Sequence, residues 1–262
     1  MEASAAELDL GIELATDLAD MADTISTSRH RAPDLIIERK PDLSPVTEAD
    51  QLIEREMRRI ITAAQPDHAI LGEEYGATGP ASGHWRWVVD PIDGTKSYVR
   101  GAESWATLIA LEYDDVPVVA VASMPAFGHR FSAVRGRGAL MNGNAISVSA
   151  VDDIAAAVLG HTSLGGFVAQ GLDITLRNLA GRCWDARGFG NSLAHLSVAR
   201  GSAEIGWTSR AYLWDFAALS LIVEEAGGRF TDPSGGRARG GNGGVSSNGL
   251  LHTKVLDLLA TE

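Results

Sequence analysis

The run Trp87-Val88-Val89-Asp90-Pro91-Ile92-Asp93-Gly94-Thr95 constrains this chain more than any other stretch. An apolar segment ends in two carboxylates three residues apart, with a proline between them. Proline biases the residue before it toward extended geometry, and glycine permits a sharp reversal. The pattern predicts a buried strand that ends on Asp90, then a turn that aims Asp90 and Asp93 into one pocket. Taken alone, the pair also fits a turn former followed by a helix N-cap. Two distant stretches favour a shared site: Gly72-Glu73-Glu74 closes another apolar run, and Trp214-Asp215 opens a third. Clustered carboxylates repel one another unless a cation lies between them. Mg²⁺ is the simplest cation, because it takes oxygen ligands and leaves room for a substrate phosphate. Gly94 and Thr95 add backbone N–H groups suited to an anion. Metal and anion cradle together point to phosphoryl chemistry.

The flanking pattern is mixed α/β. Ala5 to Thr27 carries Leu8, Ile12, Ala15, Ala19 and Ala22 at helical spacing. Thr47 with Asp50 three residues on is close to a capping box, and the helix it starts stops before Pro66. Leu35 to Ile37, Ala69 to Leu71, Trp85 to Val89, Thr107 to Leu111, Val116 to Ser123 and Phe131 to Val134 read as strands. Asn142-Gly143-Asn144 is a turn. Beyond it, Val158 to Gly160 is a strand, and Leu172 to Leu179, Gly190 to Ala199 and Trp214 to Glu225 are helices, the last ended by Gly227-Gly228. Gly235 to Gly244 reads as a loop before a strand at Val245 to Ser247 and a helix from Leu250 to Leu259. With no repeat and no clean linker, 1–262 is taken as one domain, with a metal-site half over 1–150 and a substrate half over 151–262.

The formal charge of −12 leaves no basic stripe for nucleic acid. No apolar run approaches the roughly 20 residues that span a bilayer. Met1 to Leu10 is acidic and unlike a signal peptide. The single cysteine, Cys183, forbids an internal disulfide and fits a cytoplasmic location; its expected role is apolar packing.

Residues in chain order resemble the inositol monophosphatase superfamily of Mg²⁺-dependent, lithium-sensitive phosphatases: Pro45-Val46-Thr47-Glu48-Ala49-Asp50, Gly72-Glu73-Glu74, Trp87 to Lys96, Trp214-Asp215 and Glu225-Ala226-Gly227-Gly228. Lys40 to Thr47 and Tyr98-Val99-Arg100-Gly101 look most like its actinobacterial histidinol-phosphate phosphatase branch. The resemblance implies a layered αβαβα sandwich, a homodimer and two to three Mg²⁺ ions. It places Glu73, Asp90 and the Ile92 carbonyl on one metal, and Asp90, Asp93 and Asp215 on a second. Asp50 and Glu73 hold a third through water and accept a proton, and Thr95 orients the attacking water. Asp93, Gly94 and Thr95 cradle phosphate, with Lys96 a possible added charge; Glu74 and Lys40 are weaker neighbours.

For substrate binding the resemblance points to Arg187, Gly190, Asn191, Thr208 and Arg210. The histidinol branch usually carries aspartate where Asn191 stands. Much of the superfamily carries glutamate at the Thr208 position, seven before Asp215. Both departures remove negative charge from a pocket that would face a cationic substrate. The expected reaction is hydrolysis of histidinol phosphate. The alternatives are inositol 1-phosphate or another polyol phosphate, and, in a different class, a non-catalytic homologue.

Overall fold

A computed structural model describes residues 3–80 and 83–260; Met1 and Glu2 of the acidic leader lie outside that range. Helix α1 (Ala5–Arg29) is capped by Ser4, whose side chain pairs with Glu7. Strands β1 (Ile37–Arg39) and β2 (Pro45–Thr47) form a small hairpin that delivers the chain to α2 (Glu48–Ala64). The first strand sits two residues later than the apolar Leu35 to Ile37 run suggests. Pairing to β2 sets its register, and its side chains are exposed.

An eight-stranded sheet follows. Its strands are β3 (Ala69–Gly72), β4 (Gly76–Thr78), β5 (Trp85–Asp93), β6 (Ala106–Tyr113), β7 (Val116–Met124), β8 (His129–Val134), β9 (Ala139–Met141) and β10 (Asn144–Ile146). The one-turn helix α3 (Thr95–Val99) interrupts the run between β5 and β6. Five more strands build a second large sheet: β11 (Val158–His161), β12 (Asp185–Gly188), β13 (Ile205–Thr208), β14 (Arg229–Thr231) and β15 (Gly244–Ser247). The intervening helices are α4 (Leu164–Ala169), α5 (Asp173–Ala180), α6 (Leu193–Ala199) and α7 (Leu213–Glu225), and α8 (His252–Ala260) closes the described chain.

Strand alternation decides the layers. Trp87, Val89, Ile109, Leu111 and Val119 turn one face of the eight-stranded sheet toward Leu18 of α1 and Ile53 and Met57 of α2. Val88, Leu108, Ala110, Ala120 and Phe131 turn the other face toward α6 and α7. Phe230 of β14 joins that second core, so α6 and α7 lie between the sheets. A third core packs Leu159, Ile205, Trp207 and Val245 against Phe167 of α4, Leu176 of α5 and Val255 of α8. The result is the αβαβα sandwich. It accounts for the apolar character of α7, which is buried on several sides: Phe216, Ala218, Leu219, Leu221 and Ile222 are all covered.

One boundary differs from the sequence reading in a way that matters for the site. Strand β5 does not stop at Asp90. It continues to Asp93, with an irregular register between the two aspartates opposite β6. Pro91 has no N–H to give the ladder, and its carbonyl instead accepts from the buried Thr107 hydroxyl at 2.8 Å. The bulge re-aims the carboxylates without ending the strand. Similarly, α6 begins at Leu193 rather than Gly190, because Gly190 (φ +75°) and Asn191 (φ +41°) are left-handed and cannot start a helix.

Candidate active site

Asp90, Asp93 and Asp215 each offer an oxygen, and the three oxygens lie within 4.8 Å of one another. Different elements deliver them: the bulge of β5 supplies two, and the first turn of α7 the third. Asp90 is buried, while Asp93 and Asp215 sit half-buried at a cavity wall. Local bonds fix each one. Ser192 N–H donates to Asp93 Oδ2 at 2.7 Å, tying the two halves of the chain. Tyr212 N–H donates to Asp215 Oδ2 at 2.6 Å, the backbone half of a capping box. Each of these carboxylates thus spends one oxygen on its own anchor and keeps the other for the cluster.

Packing negative groups this tightly has an electrostatic cost. Burial, then repulsion from Asp93, pushes the Asp215 carboxyl up to about 8. Burial raises Asp93 to about 6, against the pull of its Ser192 bonds. Asp90 is pushed well above the usual carboxylate range by burial, then by Glu73, Asp93 and Asp215. Asp90 Oδ1 is buried with no hydrogen-bond partner among the described residues. An orphaned carboxylate oxygen in a cluster of like charges suits coordination of a divalent cation. The donor set fits Mg²⁺.

Glu73 follows the last residue of β3, close enough to Asp90 to raise its pKa, and its Oε1 accepts from Lys40 Nζ at 2.7 Å. Lys40 also reaches Glu74 Oε1 at 2.8 Å. The turn that holds both glutamates depends on Glu54, which is fully buried on α2. Its carboxylate accepts from Glu74 N at 2.6 Å, Tyr75 N at 3.1 Å and Arg58 Nε at 2.8 Å. The sequence reading overlooked Glu54. Its signal was a carboxylate on the same helical face as Ile53, Met57 and Ile61.

Asp50 and Thr95 meet across the site. Thr47 N–H donates to Asp50 Oδ2 at 2.8 Å, completing the capping box of α2. The other oxygen, Oδ1, lies 3.2 Å from Thr95 Oγ1, which is also 3.2 Å from the Ile92 carbonyl. Burial raises Asp50 to about 6. Gly94 sits at φ +92°, and α3 after it has only five residues. Any anion at this turn would meet local N–H groups rather than a long helix dipole. Lys96 is exposed.

A cavity of about 300 Å³ opens beside the cluster, lined by Asp93, Asp215, Asn191, Ser192, Thr208 and Arg210 among others. Arg210 is exposed, its guanidinium 5.9 Å from the Tyr212 ring centre. Asn191 donates to the Ser104 carbonyl at 3.1 Å. Arg187 lies away from this wall, exposed and bound to Asp185 at 2.7 Å on the edge strand β12. Gly190 supplies a left-handed link before Asn191 and is not part of the wall. Thr208 is held from behind: His195 Nε2 lies 2.8 Å from its Oγ1, and His195 Nδ1 lies 2.8 Å from Ser246 Oγ. A buried histidine was not among the sequence candidates, since nothing in a helical Ala-His-Leu run marks it.

Cys183 is half-buried, and burial raises its thiol to about 11, which leaves it unreactive. Among the described residues, no helix is long and apolar enough to cross a membrane.

The model of the inositol monophosphatase family matches residues 7–261. The chain belongs to that family. Among curated members, it is 42% identical to a histidinol-phosphatase of Mycobacterium tuberculosis, over 94% of this chain and 96% of that protein. It is 40% identical to the histidinol-phosphatase of Streptomyces coelicolor, over 95% and 96%. Among solved structures, an inositol monophosphatase from Zymomonas mobilis superposes with a TM-score of 0.86 at 31% identity, covering 98% of this chain and all of that one.

Proposed function

We propose that this family member is a Mg²⁺-dependent phosphate monoesterase whose substrate is histidinol phosphate. The three-carboxylate cluster with its unpartnered Asp90 oxygen carries the phosphatase reading. The substrate rests on the identities of 42% and 40% to histidinol-phosphatases.

Asp90, Asp93 and Asp215 would hold one ion, Glu73 and the Ile92 carbonyl would join Asp90 on a second, and Asp50 would serve a third through water. Mg²⁺ bound there supplies Lewis-acid chemistry, acidifying a water and neutralising phosphoryl charge. The protein's own groups do the rest. The Thr95 hydroxyl donates to Asp50 Oδ1 and keeps a lone pair to accept from the attacking water, which it aligns with phosphorus. Asp50, near neutrality at about 6, takes the proton that water sheds. Water oxygen bonds to phosphorus as the ester P–O bond breaks, and the departing alkoxide oxygen takes a proton from solvent water. The N–H groups at Gly94 and Thr95 receive the phosphate oxygens.

The neutral wall made by Asn191, Thr208 and Ser209 favours a second reading, a polyol phosphate such as inositol 1-phosphate. Phosphate release from histidinol phosphate, inositol 1-phosphate, fructose 1,6-bisphosphate and adenosine 3′,5′-bisphosphate separates the two. Preference for inositol 1-phosphate would overturn the first. A homodimer in the cytoplasm completes the proposal. Exposed Leu164, Val168, Ile174 and Trp184 supply apolar surface for a second copy.

A further inference from the structure

A second cavity, of about 550 Å³, lies apart from the one beside the carboxylates. It opens where β5, the β6–β7 turn, α7 and the loop after β14 meet. Helix α7 is the wall common to both cavities. Asp215 and Leu219 face the catalytic one, and Ala217, Ser220 and Glu224 face the other.

Charge sets this second cavity apart. Four arginines line it (Arg86, Arg135, Arg237 and Arg239) against three carboxylates (Glu112, Asp115 and Glu224). That positive surplus sits in a chain whose formal charge is −12. The carboxylates are already engaged. Arg86 Nη2 pairs with the buried Glu112 at 2.5 Å and with Asp115 at 2.7 Å. Arg135 pairs with Glu224 at 3.1 Å. Arg239 is left with a 3.7 Å approach to Asp115, which Arg86 already holds more closely. Arg237 makes no ion pair among the described residues and donates only to the Asp115 carbonyl. Desolvation at the cavity wall and the nearby charge of Arg239 both press the Arg237 pKa down. An arriving anion would offset both by direct attraction, adding to the pull that Glu112, Glu224 and Asp115 already exert from a distance.

We propose that this cavity binds a phosphate-bearing small molecule, with Arg237 and Arg239 as its clamp. Two guanidiniums two residues apart present forked donors matched to phosphate oxygens. The volume exceeds what a bare phosphate fills, and Leu213 and Phe230 give the wall an apolar part for an organic body. Arg86 and Arg135 act behind the clamp by neutralising the carboxylates that would otherwise repel the ligand.

The test is calorimetric titration of the full chain in EDTA with inorganic phosphate and with glycerol 3-phosphate. Without divalent metal the catalytic cluster repels anions and the ester stays intact. The expected result is saturable binding at one site per chain. Arg237→Gln with Arg239→Gln weakens it about tenfold or more, and Asp93→Asn leaves it unchanged. Both arginines are exposed, so the double variant keeps its fold and its Mg²⁺-dependent turnover. Tighter binding of the ester assigns the site to an organic phosphate, and equal binding to phosphate itself. Absence of saturable binding at millimolar ligand, survival of binding in the double variant, or its loss in Asp93→Asn would each overturn the proposal.

Discussion

Asn191 fills the space that a β-carbon on Gly94 would need: its Nδ2 lies 2.1 Å from that position. The turn at Gly94 and the segment at Asn191, nearly a hundred residues apart in sequence, are in contact at this point. Gly94 also has φ +92°, where an L-residue is strained by roughly 1–3 kcal/mol. Gly94→Ala must displace Asn191 and shift the Thr95 N–H. We expect a soluble, folded variant with kcat reduced about a hundredfold or more. Wild-type kcat with an unchanged thermal midpoint would show that the turn tolerates the shift.

Thr95→Val keeps the shape of the side chain and removes the hydroxyl that links Asp50 Oδ1 to the Ile92 carbonyl. Asp50 remains anchored by Thr47. Turnover should fall by roughly 10²–10⁴ with KM little changed, the signature of a lost proton-relay group. A loss expressed wholly in KM would place Thr95 in binding alone.

Protons and metal compete for the cluster. Burial and mutual repulsion raise Asp215 to about 8 and Asp93 to about 6, so at neutral pH the cluster holds a proton chiefly on Asp215. Mg²⁺ must displace that proton, and the apparent Mg²⁺ affinity should rise as pH increases through roughly 6 to 8. Calorimetry in buffers of different ionisation enthalpy reads the proton release directly. An affinity flat across that window, with no proton release, would contradict the linkage.

His195 is buried between Thr208 and Ser246, and burial lowers its pKa to about 3. In the unfolded chain the ring titrates near roughly 6.5. Above that pH its contribution is complete. Below it, protons favour the unfolded chain, and the contribution shrinks until pH reaches the folded value. The stability gap between wild type and His195→Asn should therefore narrow on acidification below about 6.5. Nitrogen-15 NMR should find the ring neutral throughout the same range. A ring that titrates near its ordinary value would place His195 in contact with solvent.

The amphipathic helices, the capping box at Thr47 and Asp50, and the carboxylates of the site were legible because each leaves a local trace: a 3.6-residue period, a spacing of three, a charge closing an apolar run. The bulge that carries β5 past Asp90 left none, since a strand end and a bulge at Asp-Pro read alike. The edge strand β12 was missed because Asp185 to Gly188 has no alternation, and its pairing to β11 alone makes it a strand. The supports of the site were hidden for a related reason. Glu54, His195 and Ser192 act through partners 20, 13 and 99 residues away. No local pattern encodes such contacts.

The central claim is that the cluster of Asp90, Asp93 and Asp215 hydrolyses a phosphate ester with Mg²⁺. Its most direct test is phosphate release from histidinol phosphate by wild type and by Asp93→Asn across a Mg²⁺ titration. The account predicts Mg²⁺-dependent turnover in wild type and loss of at least about a thousandfold in the folded variant at every Mg²⁺ concentration. Comparable turnover by both proteins, or turnover in wild type that survives EDTA, would contradict it.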